Sequence, residues 1–150
     1  MRTAVRDDLK HEENCYGFVI FGYDDAHYIY LESEELQKEW LSYLQPLMIC
    51  AGISFDYNLK DQFNRGTNSR IMNCISKDDE NVTYAVKAIE KTEYYDNERY
   101  MKNLINEIES MRVLKRPNLV NLHRVYEDKN YVFLVLDMCQ EDLCQCLKVR

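Results

Sequence analysis

The sequence predicts an α+β chain: a five-stranded antiparallel sheet with one helix packed on it, preceded by a smaller strand–strand–helix unit. Three observations predict it. Short runs rich in β-branched and aromatic residues alternate with turn-forming clusters. Two longer stretches repeat their apolar residues at helical spacing. The composition is globular, 46% hydrophobic and 30% charged with four Gly and two Pro, which excludes low-complexity and disordered classes.

Taken in order, residues 1–16 are polar and charged and are expected to be poorly ordered. Gly17–Tyr23 reads as a strand, Asp24-Asp25 as a turn, and His27–Leu31 as the return strand of a hairpin. Ser33 is a good N-cap and Glu34 and Glu35 suit a first helical turn. Leu36, Trp40, Leu44 and Leu47, with Leu41 and Tyr43 beside them, predict an amphipathic helix over 34–48 that Pro46 kinks or ends. Cys50–Ser54 reads as a link.

The pattern then changes. Phe55–Phe63 and Ile71–Ser76 are strands around the turn-forming Asn64-Arg65-Gly66-Thr67-Asn68-Ser69. Lys77–Asn81 is a solvated loop and Thr83–Ile89 a third strand. Met101, Leu104, Ile105, Ile108 and Met111 mark a helix over 96–114, stopped by Arg116-Pro117-Asn118. Leu119–Tyr126 and Tyr131–Leu136 are strands around Asp128-Lys129-Asn130, and residues 143–147 begin a helix.

Charge and cysteine usage narrow the function classes. A net charge of −7 excludes a general nucleic-acid binder, so any phosphate site must be local. Cys15, Cys50, Cys74, Cys139, Cys144 and Cys146 form no C-x-x-C pair and no metal-ligand spacing, and read as reduced, mostly buried thiols. There is no apolar signal region at Met1 and no apolar run near the roughly 20 residues a spanning helix needs. A cytoplasmic chain is expected.

Three features carry chemistry. The 64–69 turn can aim backbone N–H groups at anionic oxygen, although an ordinary hairpin loop has the same composition. Lys87 stands in an apolar strand, sharing a face with Ala85 and Ile89; it must either pair or snorkel to water. Glu107 lies beside the apolar stripe of its helix, where it can reach the sheet or stay solvated.

In running order, N-R-G-x-x-S-x-I between strands, Y-A-V-K, N-E-I on a helix, R-P-N-L-V-x-L and L-V-L-D-M-C resemble the N-terminal lobe of a protein kinase. The resemblance covers 55–150, and its wording is most similar to serine/threonine kinases of the calcium/calmodulin-dependent type. It implies a glycine-rich loop at Phe63, Asn64, Arg65, Gly66, Thr67, Asn68, Ser69 and Ile71, with Lys87 holding the α- and β-phosphates of ATP and pairing with Glu107. Ile71, Ala85 and Leu136 would line the adenine pocket, the backbone of Asp137 and Cys139 would bond the adenine edge, and Asp142 would reach the ribose. There are departures. Asn64 and Ser69 replace two loop glycines, the usual Gly-Gly after the hinge is missing, and the stretch before Asp142 is one residue short. No His-Arg-Asp or Asp-Phe-Gly triplet occurs: His123-Arg124 precedes Val125. The resemblance therefore implies an ATP-binding portion whose Mg2+ ligands and catalytic Asp are absent, truncated and inactive alone, with a protein substrate only for a longer version. A non-catalytic kinase-like scaffold is the alternative.

Residues 17–50 resemble the last strands and C-terminal helix of a pleckstrin-homology domain, with Trp40 at the family's tryptophan position. The hairpin that binds phosphoinositide in such domains would lie upstream of Met1, so membrane binding is not expected.

Overall fold

Strand alternation and the two apolar helix stripes resolve into two sheets. The computed structural model describes residues 5–6, 16–21, 25–65, 69–92 and 98–139, with backbone alone at 5–6, 61–63 and 65. The first sheet has the order β1-β2-β3, from β1 (Val5–Arg6), β2 (Tyr16–Phe21) and β3 (Ala26–Leu31), all antiparallel. The pairing of Val5 and Arg6 gives structure to a segment expected to lack it. Phe18 and Val19 of the central strand are both buried, so β2 is covered on both faces.

Helix α1 (Glu34–Leu44) starts where its cap predicts: the Ser33 hydroxyl accepts from the Leu36 amide at 3.2 Å. It ends at Leu44, ahead of Pro46, and the Gln37 side-chain amide donates to the Gly17 carbonyl of β2. No α1 residue is buried; Trp40 is 49% exposed and Tyr43 68%. The apolar stripe is present, but it does not form the core the periodicity suggested.

The expected link at 50–54 is instead structured. Ile49–Ala51 forms β4, Gly52 turns the chain at φ 72°, and Ile53–Asp56 forms the single helical turn α2. A glycine is required there, since φ is left-handed and a Cβ would meet the Phe55 ring at 2.5 Å. The strands that follow are β5 (Tyr57–Arg65), β6 (Ser69–Ser76), β7 (Thr83–Glu90), β8 (Leu122–Glu127) and β9 (Tyr131–Asp137). Helix α3 (Glu98–Val113) lies between β7 and β8 in sequence.

The second sheet has the order β4-β8-β9-β7-β6-β5. Five strands are antiparallel as expected, but β4 adds a sixth, parallel to β8 through Ile49↔Val125, Cys50↔Tyr126 and Ala51↔Glu127. The sheet is thus six-stranded and mixed rather than five-stranded and antiparallel. Three residues flanked by Gly52 are too short to show strand alternation, so tertiary pairing decides them. β8 also starts at Leu122, not Leu119. Asn118 sits at φ 69°, and Leu119 and Val120 remain exposed before the strand begins.

The two faces of this sheet bury different clusters. Toward α3 lie Ile89, Val125, Val132 and Leu134 with Leu104 and Ile108 of the helix. On the opposite face, Cys50, Ile53, Tyr57, Cys74, Val86, Tyr126, Phe133 and Val135 pack together. α2 is pinned to that face by Asp56, whose carboxylate accepts from the Tyr126 hydroxyl and pairs with Arg124 at 3.2 Å.

Burial pushes the Cys50 and Cys74 thiols up to about 11 and the Tyr57 hydroxyl up to about 12. Cys50 and Cys74 are buried free thiols and Cys139 is exposed; Cys15, Cys144 and Cys146 lie outside the described residues. The raised values set a pH dependence. Unfolded thiols release protons near pH 9 while the folded ones hold theirs, so this stability is complete below pH 9 and is lost as pH rises toward 11. Urea titrations should find the unfolding free energy level between pH 7 and 8.5 and then falling toward pH 11, by on the order of 2 kcal/mol per thiol. An unfolding free energy that rose with alkali would contradict the burial.

Candidate functional site

The site is built on the α3-facing side of the six-stranded sheet. Pairing register puts Ser69, Ile71 and Asn73 of β6 opposite Ile89, Lys87 and Ala85 of β7, and Ala85 opposite Leu136 of β9. These residues share one face by strand alternation. Val86 and Ala88, flanking Lys87, point into the opposite core and are buried.

Lys87 therefore projects from the middle strands toward α3. Its Nζ meets Glu107 Oε1 at 2.8 Å, with side-chain exposures of 30% and 42%. Glu107 reaches the sheet because Leu104 and Ile108, on either side of it, are buried against β8 and β9. A half-exposed pair of this kind contributes little to stability.

The strands that flank the loop expected to cradle phosphate belong to the same sheet. β5 closes at Arg65 and β6 opens at Ser69, with Asn64↔Ile71 and Arg65↔Arg70 paired at the mouth of the hairpin. Gly66, Thr67 and Asn68, its tip, lie outside the described residues. Phe63 and Arg65 are placed by backbone only. The β5–β6 register shifts between Leu59 and Gln62 and again between Gln62 and Asn64, and such irregularities re-aim the end of a strand.

Strand β9 runs through Leu136 and Asp137 to Met138 and the exposed Cys139. The Asp137 amide donates to the Asn121 carbonyl at 3.1 Å. The Asp137 carboxylate accepts from the Asn121 amide at 2.9 Å and from Asn121 Nδ2 at 2.7 Å, and meets His123 Nε2 at 2.6 Å. Burial raises the Asp137 carboxyl, but the Asn121 amide and the His123 and Asn121 side chains outweigh it and hold it below its ordinary value. Asp142 lies outside the described residues. His123-Arg124 stands in strand β8, as read from the sequence.

Sequence reasoning missed three groups. Asn121 and His123 anchor Asp137 across two strands, a pairing that no local pattern reveals. Lys91, 9% exposed, pairs with Glu127 at 3.0 Å and donates to the Asp128 carbonyl. Asn73 Oδ1 is buried without a hydrogen-bond partner on the face that carries Lys87.

A mixed sheet with five antiparallel strands, one helix across its face and a lysine–glutamate pair between them are the arrangement of a kinase-type N-terminal lobe. The protein kinase domain model matches residues 57–150, and the chain belongs to that family. It is 34% identical over 88 residues to calcium/calmodulin-dependent protein kinase type 1 of Caenorhabditis elegans, covering 59% of this chain and 24% of the relative. It is 32% identical over 108 residues to calcium-dependent protein kinase 27 of Arabidopsis thaliana, covering 71% and 21%. Against the serine/threonine-protein kinase PLK4 of Danio rerio it is 37% identical over 67 residues, covering 44% and 7%. The chain thus spans a quarter or less of the curated relatives it matches. Among the described residues no helix is long and apolar enough to cross a membrane.

Proposed function

We propose that this chain binds ATP between the 63–71 hairpin, Lys87 and the 136–139 segment, as the nucleotide-holding part of a serine/threonine protein kinase. The single observation that carries this is the Lys87–Glu107 pair at 2.8 Å on the α3-facing side of the sheet. A lysine held by one carboxylate keeps donors for a second anion, and a triphosphate is the ligand whose charge fits. The residues present suit the nucleotide: Ala85 opposite Leu136 leaves little side-chain bulk for one wall of an adenine pocket, with Ile71 on the neighbouring strand. The Asp137 amide already serves Asn121, so of its two backbone groups the carbonyl is the one for the adenine edge, with Cys139 beyond it.

Mg2+ is expected for a longer family member, with the residues that would hold it outside this chain. Among the described residues no three His, Cys, Asp or Glu side chains come together as a metal site, and no step is assigned to a metal here. Bound ATP supplies the transferable phosphoryl group, and this chain's own residues bind and orient it. Transfer to a protein hydroxyl and serine/threonine specificity are readings from the family and its relatives, and a cytoplasmic setting is read from the cysteine usage. The 17–50 unit we read as pleckstrin-homology-like from its strand–strand–helix order; Trp40 is half-exposed in it, so element order alone supports that reading.

Titration of the full chain with ATP, followed by thermal unfolding, tests the site. Ligand binding to the folded state alone raises the midpoint, by about 2.7 kcal/mol of stability at one hundred times Kd. ATP should raise it in a saturable manner and inorganic phosphate at the same ionic strength should not. Equal effects of the two, or none from either, would overturn the assignment.

A further inference from the structure

Helix α3 carries Glu107, so whatever fixes α3 fixes the pair. Its apolar seating is narrow: Leu104 and Ile108 are its buried residues, while Ile105 is 49% exposed and Val113 81%. Between α3 and the β4 edge of the sheet a groove of 120 Å3 stays open, lined by Leu47, Met48 and Ile49 on one side and Met101, Ile105 and Arg112 on the other. Ile49 and Met111 pack beside Leu104 and Ile108 at its floor, and the groove above them stays open. A hydrogen bond crosses it: Arg112 Nη2, in the last turn of α3, donates to the Met48 carbonyl at 2.9 Å. The guanidinium is partly desolvated and its Nε is buried without a partner, which makes the Nη2 bond costly to lose.

Met48 is itself held from upstream. Its amide donates to the Leu44 carbonyl at the end of α1, at 3.0 Å, and Cys50 Sγ contacts the Gln45 carbonyl at 3.9 Å. One residue on, Ile49 enters the parallel pairing with Val125, and β1 also approaches β4. A continuous path therefore runs from α1 through Met48 to Arg112, along a rigid helix to Glu107, and across to Lys87. The kinase family match begins at 57, so residues 48–51 lie before it.

We propose that Met48–Ala51 is a strap that positions α3, with Arg112 as its anchor, coupling the α1 unit to the Lys87–Glu107 pair. Arg112 is a positioning residue and touches no ligand. The strap stands on the contacts above, and only its effect on nucleotide rests on the proposed ATP site. Held from α1, the strap keeps Glu107 at Lys87; when α1 or the first sheet shifts, the Met48 carbonyl moves and α3 is released.

Arg112→Met keeps the apolar stem and removes the donor, and Arg112→Lys returns one. In the full chain, hydrogen exchange of the 98–113 amides should quicken about 3–10-fold in Arg112→Met, with β7 and β9 as in the wild type. The acylation rate of Lys87, measured by peptide mass spectrometry, should rise by a similar factor as Glu107 withdraws. ATP affinity should fall about 3–10-fold, and Arg112→Lys should recover most of each change. Unchanged α3 exchange in Arg112→Met would overturn the strap. Faster exchange with unchanged Lys87 acylation would overturn the coupling. Absence of ATP binding in the wild type would instead defeat the proposed function, leaving exchange and acylation to decide the strap.

Discussion

A chain started at Tyr57, where the family match begins, should fail to fold, whereas one started at Gln45 should keep the lobe. The difference is twelve residues that the sequence presents as the end of a helix and a link. Cys50 and Ile53 are 3% and 7% exposed, in one cluster with Tyr126 and Val135. Removing a buried aliphatic side chain costs about 2–5 kcal/mol. Here Ile53 and Cys50 go together, along with a sheet strand and the Asp56 carboxylate that holds Tyr126 and Arg124. The Tyr126 hydroxyl would then be buried beside an open cavity, at a further cost of about 1–3 kcal/mol. The sum is comparable with the roughly 5–15 kcal/mol a domain has in total. Circular dichroism and urea unfolding of the two shortened chains decide it. A cooperative transition at the same urea concentration in both would show that β4 and α2 are attachments and not part of the lobe.

Lys87→Met should lower ATP affinity at least about tenfold while leaving the fold intact. Charge-assisted hydrogen bonds to an anion contribute about 1.5–3 kcal/mol, which is about 10–150-fold in Kd. The fold is spared because Lys87 is 30% exposed and its pair with Glu107 is open to water, where such bridges contribute little. Met has a similar stem length and meets the same apolar neighbours. Thermal midpoints within a few degrees of each other, with binding lost only in the variant, are the expected result. Loss of both would make Lys87 a structural residue.

How far the sequence foretells this site follows from what kind of interaction sets each part. Strand and helix period leave Lys87 and Glu107 free either to pair or to stay solvated; the order of motifs in the family resemblance is what joins them, and they lie 2.8 Å apart. The α3 helix and β7 are themselves legible, with apolar spacing long enough to fix the period. β4 is not legible: three residues carry no period, and what makes them a strand is the free edge of β8, seventy-odd positions away in sequence. Asn121, His123 and Asp137 are silent for a related reason, since each is an ordinary polar residue until two strands bring them within 2.6–2.9 Å. The α1 stripe shows the opposite failure. Its periodicity is real and places Trp40 and Tyr43 on one helix, yet period alone cannot say that a face will be covered, and here they remain exposed.

If Lys87 is the residue that meets the phosphates, chemical capture should find it there. An ATP derivative with an acyl phosphate at its terminus transfers its acyl group to a lysine beside the phosphates. After brief reaction with the full chain, digestion and mass spectrometry should find the label on Lys87 ahead of exposed lysines such as Lys38 and Lys77, and excess ATP should suppress it. A label spread over surface lysines and indifferent to ATP would contradict the account.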